Sequence, residues 1–408
     1  MFHLAASSTA RAGGCMTSQP LAPDSPLAIA RELAGRFART AVARDQQGGT
    51  PKAERDALRD SGLLGLIIPR EFGGLGESWS TTLHIVRELA RVDSSVAHVF
   101  AFQHLLLATA QLFGRPDQWQ PWFEQTVRER WFWGNALNPL DTRTLATPDG
   151  DGYRFHGDKS FCSGATDSDM LLASALRAGQ GGLLIAVIPT RRAGVHIHQD
   201  WDNIGQRQTD SGSARFEQVW VGADELLLQP GPLSTPRACL RPLIAQLILT
   251  NIYLGIAEGA VAEARRYTLE QRRLWPASLA ESANKDPYTL LHYGEFQAAL
   301  EGARLLADHA GQQLDAAWQQ GDALDEAGRG QLALQIAAAK VHASRSGLDL
   351  TSRIFDVTGA RATSAALRLD RFWRNLRVHS LHDPLDYKLQ ELGDWALNGQ
   401  YPTPSFYS

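Results

Sequence analysis

The spacing of apolar positions along this chain changes period twice. Ile29, Leu33, Phe37 and Ala41 recur every fourth residue behind Ser25-Pro26, where a serine cap and a proline at the first helical position start an amphipathic helix. Thr50-Pro51 repeats that start signal and Gly62 offers a stop. Ser80 opens a further helix with Leu83, Val86, Leu89 and Ala90 on one side, and another runs from about Ser95 to Leu112. Strand-like runs then begin at Trp131: 131–137, 153–156, 160–163, 170–176, 183–188, 195–198 and 214–221. Turn-formers separate them, such as Pro148-Asp149-Gly150-Asp151-Gly152 and Gly179-Gln180-Gly181-Gly182. Short strands on short connections predict an antiparallel sheet or barrel. From about Leu240 the helical period returns, over 241–267, 288–320, 325–355 and from Ala365 onward.

The predicted fold is α+β. A leader occupies 1–20, an N-terminal helical domain 21–130, a central antiparallel β domain 131–230, and a C-terminal four-helix bundle with a tail 231–408. A composition of 44% hydrophobic and 21% charged residues is that of a globular protein. The net charge of −4 provides no basic footprint for nucleic acid or an anionic membrane. Three widely spaced cysteines, Cys15, Cys162 and Cys239, suit a reducing cytoplasm. The stretch before Met16 is too weakly apolar for a signal peptide and reads as a disordered leader or an upstream start. The apolar run 243–257 is broken by Gln246, Thr250 and Asn251 and predicts a buried helix, not a membrane span.

Several chemistries are missing from the sequence. No Gly-x-Gly-x-x-Gly follows a strand, and no Walker loop, His-Glu-x-x-His or Gly-x-Ser-x-Gly occurs. The histidines lack metal-ligand spacing, so no metal is expected. For redox chemistry, a flavin held without a dinucleotide loop is a natural candidate.

Two segments make that concrete. Gly157-Asp158-Lys159-Ser160-Phe161-Cys162-Ser163-Gly164-Ala165 and Ile204-Gly205-Gln206-Arg207-Gln208-Thr209-Asp210-Ser211-Gly212-Ser213 resemble the central-domain signatures of the acyl-CoA dehydrogenase superfamily. Arg371-Phe372-Trp373-Arg374-Asn375-Leu376-Arg377 resembles its C-terminal arginine-rich signature. Ser380-Leu381-His382-Asp383-Pro384 and Leu397-Asn398-Gly399-Gln400-Tyr401-Pro402 are similar to the flavin-dependent monooxygenase branch, that of the dibenzothiophene and sulfur-acquisition oxygenases. The resemblance runs from about Pro26 to Ser408.

It implies a two-component monooxygenase. A separate flavin reductase would supply reduced FMN, and O2 would react through a C4a-hydroperoxyflavin to oxygenate an organosulfur compound. The enzyme would be a cytoplasmic homotetramer. By resemblance, His98, Asn135, Ser163 and His382 carry the chemistry. Asn135, Phe161, Cys162, Ser163, Trp201, Arg273, Arg361 and His382 hold the flavin, with the two arginines on its phosphate. Phe102 and Asp383 line the substrate pocket. Phe102 stands where dibenzothiophene monooxygenases have a tyrosine, which implies a smaller sulfur substrate. Asp383 falls near the catalytic glutamate of the dehydrogenases, which leaves an FAD-dependent acyl-CoA dehydrogenase with Asp383 as base as the alternative. A non-catalytic flavin-binding protein is a second one.

Overall fold

The computed structural model describes residues 25–179, 181–270 and 273–408. The expected leader, Cys15 and the choice between Met1 and Met16 lie outside them. Ser25 accepts a hydrogen bond from Ala28 N at 3.3 Å and starts α1 (Pro26–Ala38). Ala41 already belongs to α2 (Ala41–Gln47). Before α3 (Lys52–Asp60) the Thr50 hydroxyl does not cap the helix: it donates to Asp210 Oδ1 at 2.8 Å, a tertiary contact that outcompetes the local one. The next helix, α4 (Trp79–Ala90), starts earlier than expected because Ser78, not Ser80, accepts from Thr81 N. Asp93 caps α5 (Ser94–Phe113), taking the N–H groups of Ser95 and Val96 at 3.0 Å each. A short α6 (Pro116–Glu129) leads into the sheet.

The sheet comprises β1 (Trp133–Ala136), β2 (Leu145–Asp149), β3 (Gly152–Lys159), β4 (Met170–Arg177), β5 (Leu183–Pro189), β6 (Val195–Ile197) and β7 (Ala214–Val221). Pairings β2–β3, β3–β7, β4–β5 and β6–β7 are antiparallel, as predicted. The sheet is nevertheless mixed. β1 and β2 lie end to end along one edge of β4, and both run parallel to it. The reason is topological: the β2–β3 hairpin carries the chain back before β4 begins, so β4 travels in the direction of β1. Strand β2 has no counterpart among the strand-like runs of the sequence, and its last two residues, Pro148 and Asp149, belong to the turn-forming string.

The C-terminal bundle consists of α7 (Leu240–Glu270), α8 (Pro287–Gln320), α9 (Glu326–Thr358), α10 (Asp370–His379) and α11 (Leu385–Asn398). The two most apolar helices, α5 and α7, are 94% and 89% buried over their most hydrophobic windows and form the centre of the protein. α7 lies against α4 through glycines. A Cβ on Gly255 would come within 2.6 Å of Arg87 O, and one on Gly259 within 2.0 Å of Arg91 O. Gly294 on α8 faces open space. Gly259→Ala is therefore expected to lower stability in urea by roughly 1–3 kcal/mol through overpacking, although alanine is the better helix former. Gly294→Ala should raise stability by about 0.5–1 kcal/mol; equal effects at both sites would refute the close approach of α4 and α7.

Candidate active site

The β-domain side of the site is a turn, not the strand expected at 160–163. Strand β3 ends at Lys159, and Phe161 adopts φ 59°, a left-handed conformation that breaks extended pairing. This turn leaves the Phe161 ring 58% exposed, in edge contact with Trp201 at 6.0 Å. Trp201 is pinned by its Nε1–H, which donates to Gln206 O at 2.8 Å. Cys162 faces the other way. Its N–H is bonded to Gly212 O, its thiol lies in the β-domain core, and burial pushes the thiol pKa up to about 12. Cys162 thus contributes turn geometry and offers no free polar group. Ser163 O accepts from Asn135 N at 2.9 Å, and its Oγ bonds Ser211 Oγ at 2.8 Å. Asn135 Oδ1 accepts from Leu137 N at 3.2 Å, and its Nδ2 has no acceptor among the described residues. Arg55, fully buried, donates to Gly164 O at 3.0 Å and Asp167 O at 2.6 Å and pairs with Asp210 at 3.2 Å. One guanidinium thereby ties both signature segments to the N-terminal domain.

Gln206 joins this turn to the helices. Its Nε2 donates to Ser94 Oγ at 3.1 Å, at the start of α5, and to Asn375 O on α10. Its N–H donates to Asn375 Oδ1 at 2.7 Å, and Arg374 Nη1 donates to Ile204 O at 2.6 Å. Gly205 is obligatory here, since a Cβ would sit 2.3 Å from Arg374 O. The arginine-rich signature therefore clamps α10 onto the loop, and α5 and α10 leave the clamp side by side. One helical turn along each, His98 Nδ1 and His379 Nε2 meet at 3.1 Å. The Ser163 turn is adjacent: a Cβ on Gly164 would lie 3.7 Å from Val99 Cγ1.

The outer atoms of this pair, His98 Nε2 and His379 Nδ1, are buried and have no partner. Desolvation, assisted by the neighbouring His382, drives the His98 pKa down to about 3. Desolvation likewise holds His379 well below its usual value. Both rings are neutral, so one donates to the other. Phe102 lies against His98 with centroids 4.0 Å apart and the rings tilted by 34°, and is itself buried.

A charged arrangement stands beside the neutral one. His382 Nδ1 bonds Asp383 Oδ1 at 2.9 Å, and Lys340 Nζ from α9 reaches both Asp383 oxygens at 2.7 Å. The third Lys340 proton goes to Gln246 Oε1 on α7. Burial pushes the Asp383 pKa up, but the His382 hydrogen bond and the Lys340 charge outweigh it and hold the carboxyl well below the usual carboxylate range. Burial lowers the Lys340 pKa against the pull of Asp383. His382 and Asp383 line a cleft of about 470 Å³ with Leu140, Tyr387 and Tyr407.

The structure thus pairs His98 with Phe102 and His382 with Asp383 on the helical side, and Asn135 with Ser163 and Phe161 with Trp201 on the β side, the two sides meeting where Gly164 faces Val99. Arg273 and Arg361 are not among them. Both are exposed, and neither side chain has a hydrogen bond or ion pair among the described residues. Sequence reasoning missed His379, Lys340 and Gln246. The signals were present: His379 stands three residues before His382, one helical turn, and Lys340 is a single cation in the apolar run Ala337-Ala338-Ala339-Lys340-Val341.

Three segments match the acyl-CoA dehydrogenase family: its N-terminal domain over 28–130, its middle domain over 134–219 and its C-terminal domain over 247–387. This chain belongs to that family. Among relatives, a probable FMNH2-dependent monooxygenase, SfnC of Pseudomonas putida, is 65% identical over 95% of this chain and 98% of its own. The dibenzothiophene monooxygenase of Rhodococcus erythropolis is 44% identical over 95% and 96%. Among solved structures, the methanesulfinate monooxygenase MsuC from Pseudomonas fluorescens superposes with TM-score 0.94 at 65% identity, covering 94% of this chain and 100% of that one. The dibenzothiophene monooxygenase TdsC from Paenibacillus sp. A11-2, in complex with FMN and indole, gives TM-score 0.90 at 44% identity, covering 94% and 99%. Within the acyl-CoA dehydrogenase family the chain sits in the flavin-dependent monooxygenase branch.

The buried groups of this family member make its stability pH-dependent. His98, and His104 in the apolar core with both ring nitrogens unpartnered, have pKa values near 3 because of desolvation. The unfolded chain binds protons at these positions below about pH 6.5 and the native protein does not. Stability should therefore fall as pH drops from about 6.5 toward 3, by about 1.4 kcal/mol per pH unit for each such histidine. His104→Leu should remove one share of that slope in urea titrations at a series of pH values; an unaltered slope would show that His104 ionises in the native state. For the charged group, Lys340→Met should cost roughly 3–5 kcal/mol by stranding the Asp383 carboxylate. Lys340→Met combined with Asp383→Asn should restore most of it, and a double variant as unstable as the single one would contradict the pairing.

Proposed function

We propose that this chain is a cytoplasmic, homotetrameric monooxygenase that uses FMN, reduced by a separate flavin reductase, and O2 to oxygenate a small organosulfur compound. The observation that carries this reading is the pair of buried, unpartnered nitrogens, His98 Nε2 and His379 Nδ1, next to the Ser163 turn. Most buried polar atoms find a partner; these two do not and, unlike those of His104 in the apolar core, they lie beside the signature turn, so the junction suits a polar group the protein itself does not supply. A flavin ring fits those residues. The exposed Phe161 and the pinned Trp201 offer an apolar wall, while Ser163 Oγ and the free Asn135 Nδ2 offer polar contacts at one edge. FMN is the flavin seen in the TdsC structure, and the SfnC relative is named for its reduced form.

Bound reduced FMN supplies the electrons that split O2, one atom going to sulfur and the other to water. The protein's part is to exclude water, to hold the reacting oxygen by neutral donors, and to deliver a proton. With one ring proton used between them, neutral His98 and His379 offer one outward N–H donor and one outward acceptor without placing a full charge in the pocket. His382, fixed through Nδ1 by Asp383, presents Nε2 for proton transfer. Arg273 and Arg361 extend from the surface toward solvent and would grip the FMN phosphate, with contacts completed by a neighbouring subunit. Phe102 fills the space beside His98 with a ring that lacks a hydroxyl, which favours a small substrate. The acyl-CoA dehydrogenase reading is weaker on chemical grounds: an Asp383 held ionised by Lys340 and His382 is a poor base for a carbon acid.

The test is turnover with reduced FMN, scoring sulfur product and hydrogen peroxide per flavin consumed. His382→Ala should lower product formation by about 10²–10³-fold, as for loss of one preorganised group, with peroxide rising in its place. Product yield equal to the parent's would remove His382 from the reaction. Bleaching of oxidised flavin by an acyl-CoA under anaerobic conditions would favour the dehydrogenase instead.

A further inference from the structure

A lysine occupies a place in the middle of α9 that an apolar side chain could fill. Lys340 is 1% exposed, and Ala337, Ala339 and Ala343 beside it are buried where α9 packs on α7. Taking an ammonium out of water is costly, and a well-packed apolar residue often serves stability as well as a buried ion pair. The ammonium is nevertheless fully used. Its three protons go to Asp383 Oδ1 and Oδ2, at 2.7 Å each, and to Gln246 Oε1 on α7. With every donor engaged, the group is fixed in place as well as paired.

The carboxylate that Lys340 holds has a second task. Asp383 Oδ1 also takes the hydrogen bond of His382 Nδ1 at 2.9 Å. An aspartate in that position does two things at once: it orients the imidazole, and its charge favours the imidazolium. The first serves proton transfer at Nε2. The second, unopposed, gives a ring that keeps its proton. A cation bonded to both oxygens of the same carboxylate separates these effects, because it preserves the orientation and offsets the charge.

The groups around His382 and Asp383 do not take over that part. Burial keeps His98 on α5 and His379 on α10 neutral, and it keeps the phenols of Tyr253 on α7 and Tyr407 in the tail protonated. Lys388 and Glu391 on α11 satisfy each other at 3.0 Å. Among the described residues, no other lysine or arginine lies within ion-pair distance of Asp383.

We propose that Lys340 is a positioning residue for proton transfer by His382: it fixes Asp383 against His382 Nδ1 and balances the carboxylate, so that the ring is oriented without being locked as imidazolium. Gln246 supports it by taking the remaining ammonium proton. The use made of His382 rests on the monooxygenase reading above, whereas the control of His382 by Lys340 can be measured without turnover.

The experiment follows the protonation of His382 itself, through hydrogen–deuterium exchange at the imidazole C2 position over a pH series, read by mass spectrometry. It compares the parent, Lys340→Met, Asp383→Asn and the double variant. Lys340→Met should raise the His382 titration midpoint by about 1 pH unit, and Asp383→Asn should lower it by a similar amount. That is the low end for a nearby charge, because the ring is partly open to solvent. The double variant should return the midpoint to near that of the parent. A lysine that only supports the fold leaves the midpoint alike in all four proteins, and that result overturns the inference. Should Lys340→Met fail to fold, Asp383→Asn and the double variant decide, since they differ only at position 340: a lower midpoint in Asp383→Asn upholds the inference and equal midpoints overturn it. Stopped-flow reoxidation of reduced FMN by O2, with no sulfur compound added, should show a pH-dependent limb that moves with the midpoint. A moved midpoint beside an unmoved limb overturns the proton role that the monooxygenase reading gives His382, and with it the catalytic purpose of Lys340.

Discussion

The hydrogen bond between His98 and His379 depends on removing both rings from water, and the rest of the architecture serves that removal. In solvent, two imidazoles in contact would repel once protonated near neutral pH. Buried between α5 and α10, both stay neutral, and a single proton suffices for the contact. The burial is produced by the clamp one turn earlier, where Gln206 holds Ser94 and Asn375 together and Gly205 allows the loop to reach the α10 backbone. The cost is two nitrogens with nothing to bond. That deficit is the clearest physical statement the molecule makes about needing a ligand.

A few ångströms away the fold takes the opposite course. Lys340 and Asp383 keep their charges and satisfy them internally, with His382 bonded to the carboxylate and Gln246 taking the last ammonium proton. Neutral donors and a fixed ion pair placed side by side give a pocket two kinds of polarity without a free charge at its centre. Arg241, Arg329 and Arg371 are buried too, and among the described residues none of them has a carboxylate within ion-pair distance. Asp383, which the resemblance set near the catalytic glutamate of the dehydrogenases, is held by Lys340 and His382 at the edge of the cleft. A change of reaction class on one fold is thus visible in which charges are paired and which are left open.

Helix positions, the β segment between two helical domains and the absence of dinucleotide or metal motifs followed from the sequence, because periodicity and capping are local properties of the chain. The signature segments at 157–165, 204–213 and 371–377 pointed to the right family for a similar reason: each string makes the close contacts that tie the domains, and such contacts tolerate few residue types. Tertiary structure alone decided the rest. It moved the Thr50 hydroxyl to Asp210, turned 160–163 from strand to left-handed turn, and set β1 and β2 parallel to β4. It also paired His98 with His379, 281 residues away, and placed Lys340 under Asp383. Hydrogen bonds across such separations leave no periodic trace in the chain. Whether a buried group meets a partner depends on the sum of helix packing around it, and that sum exists only once the protein is folded.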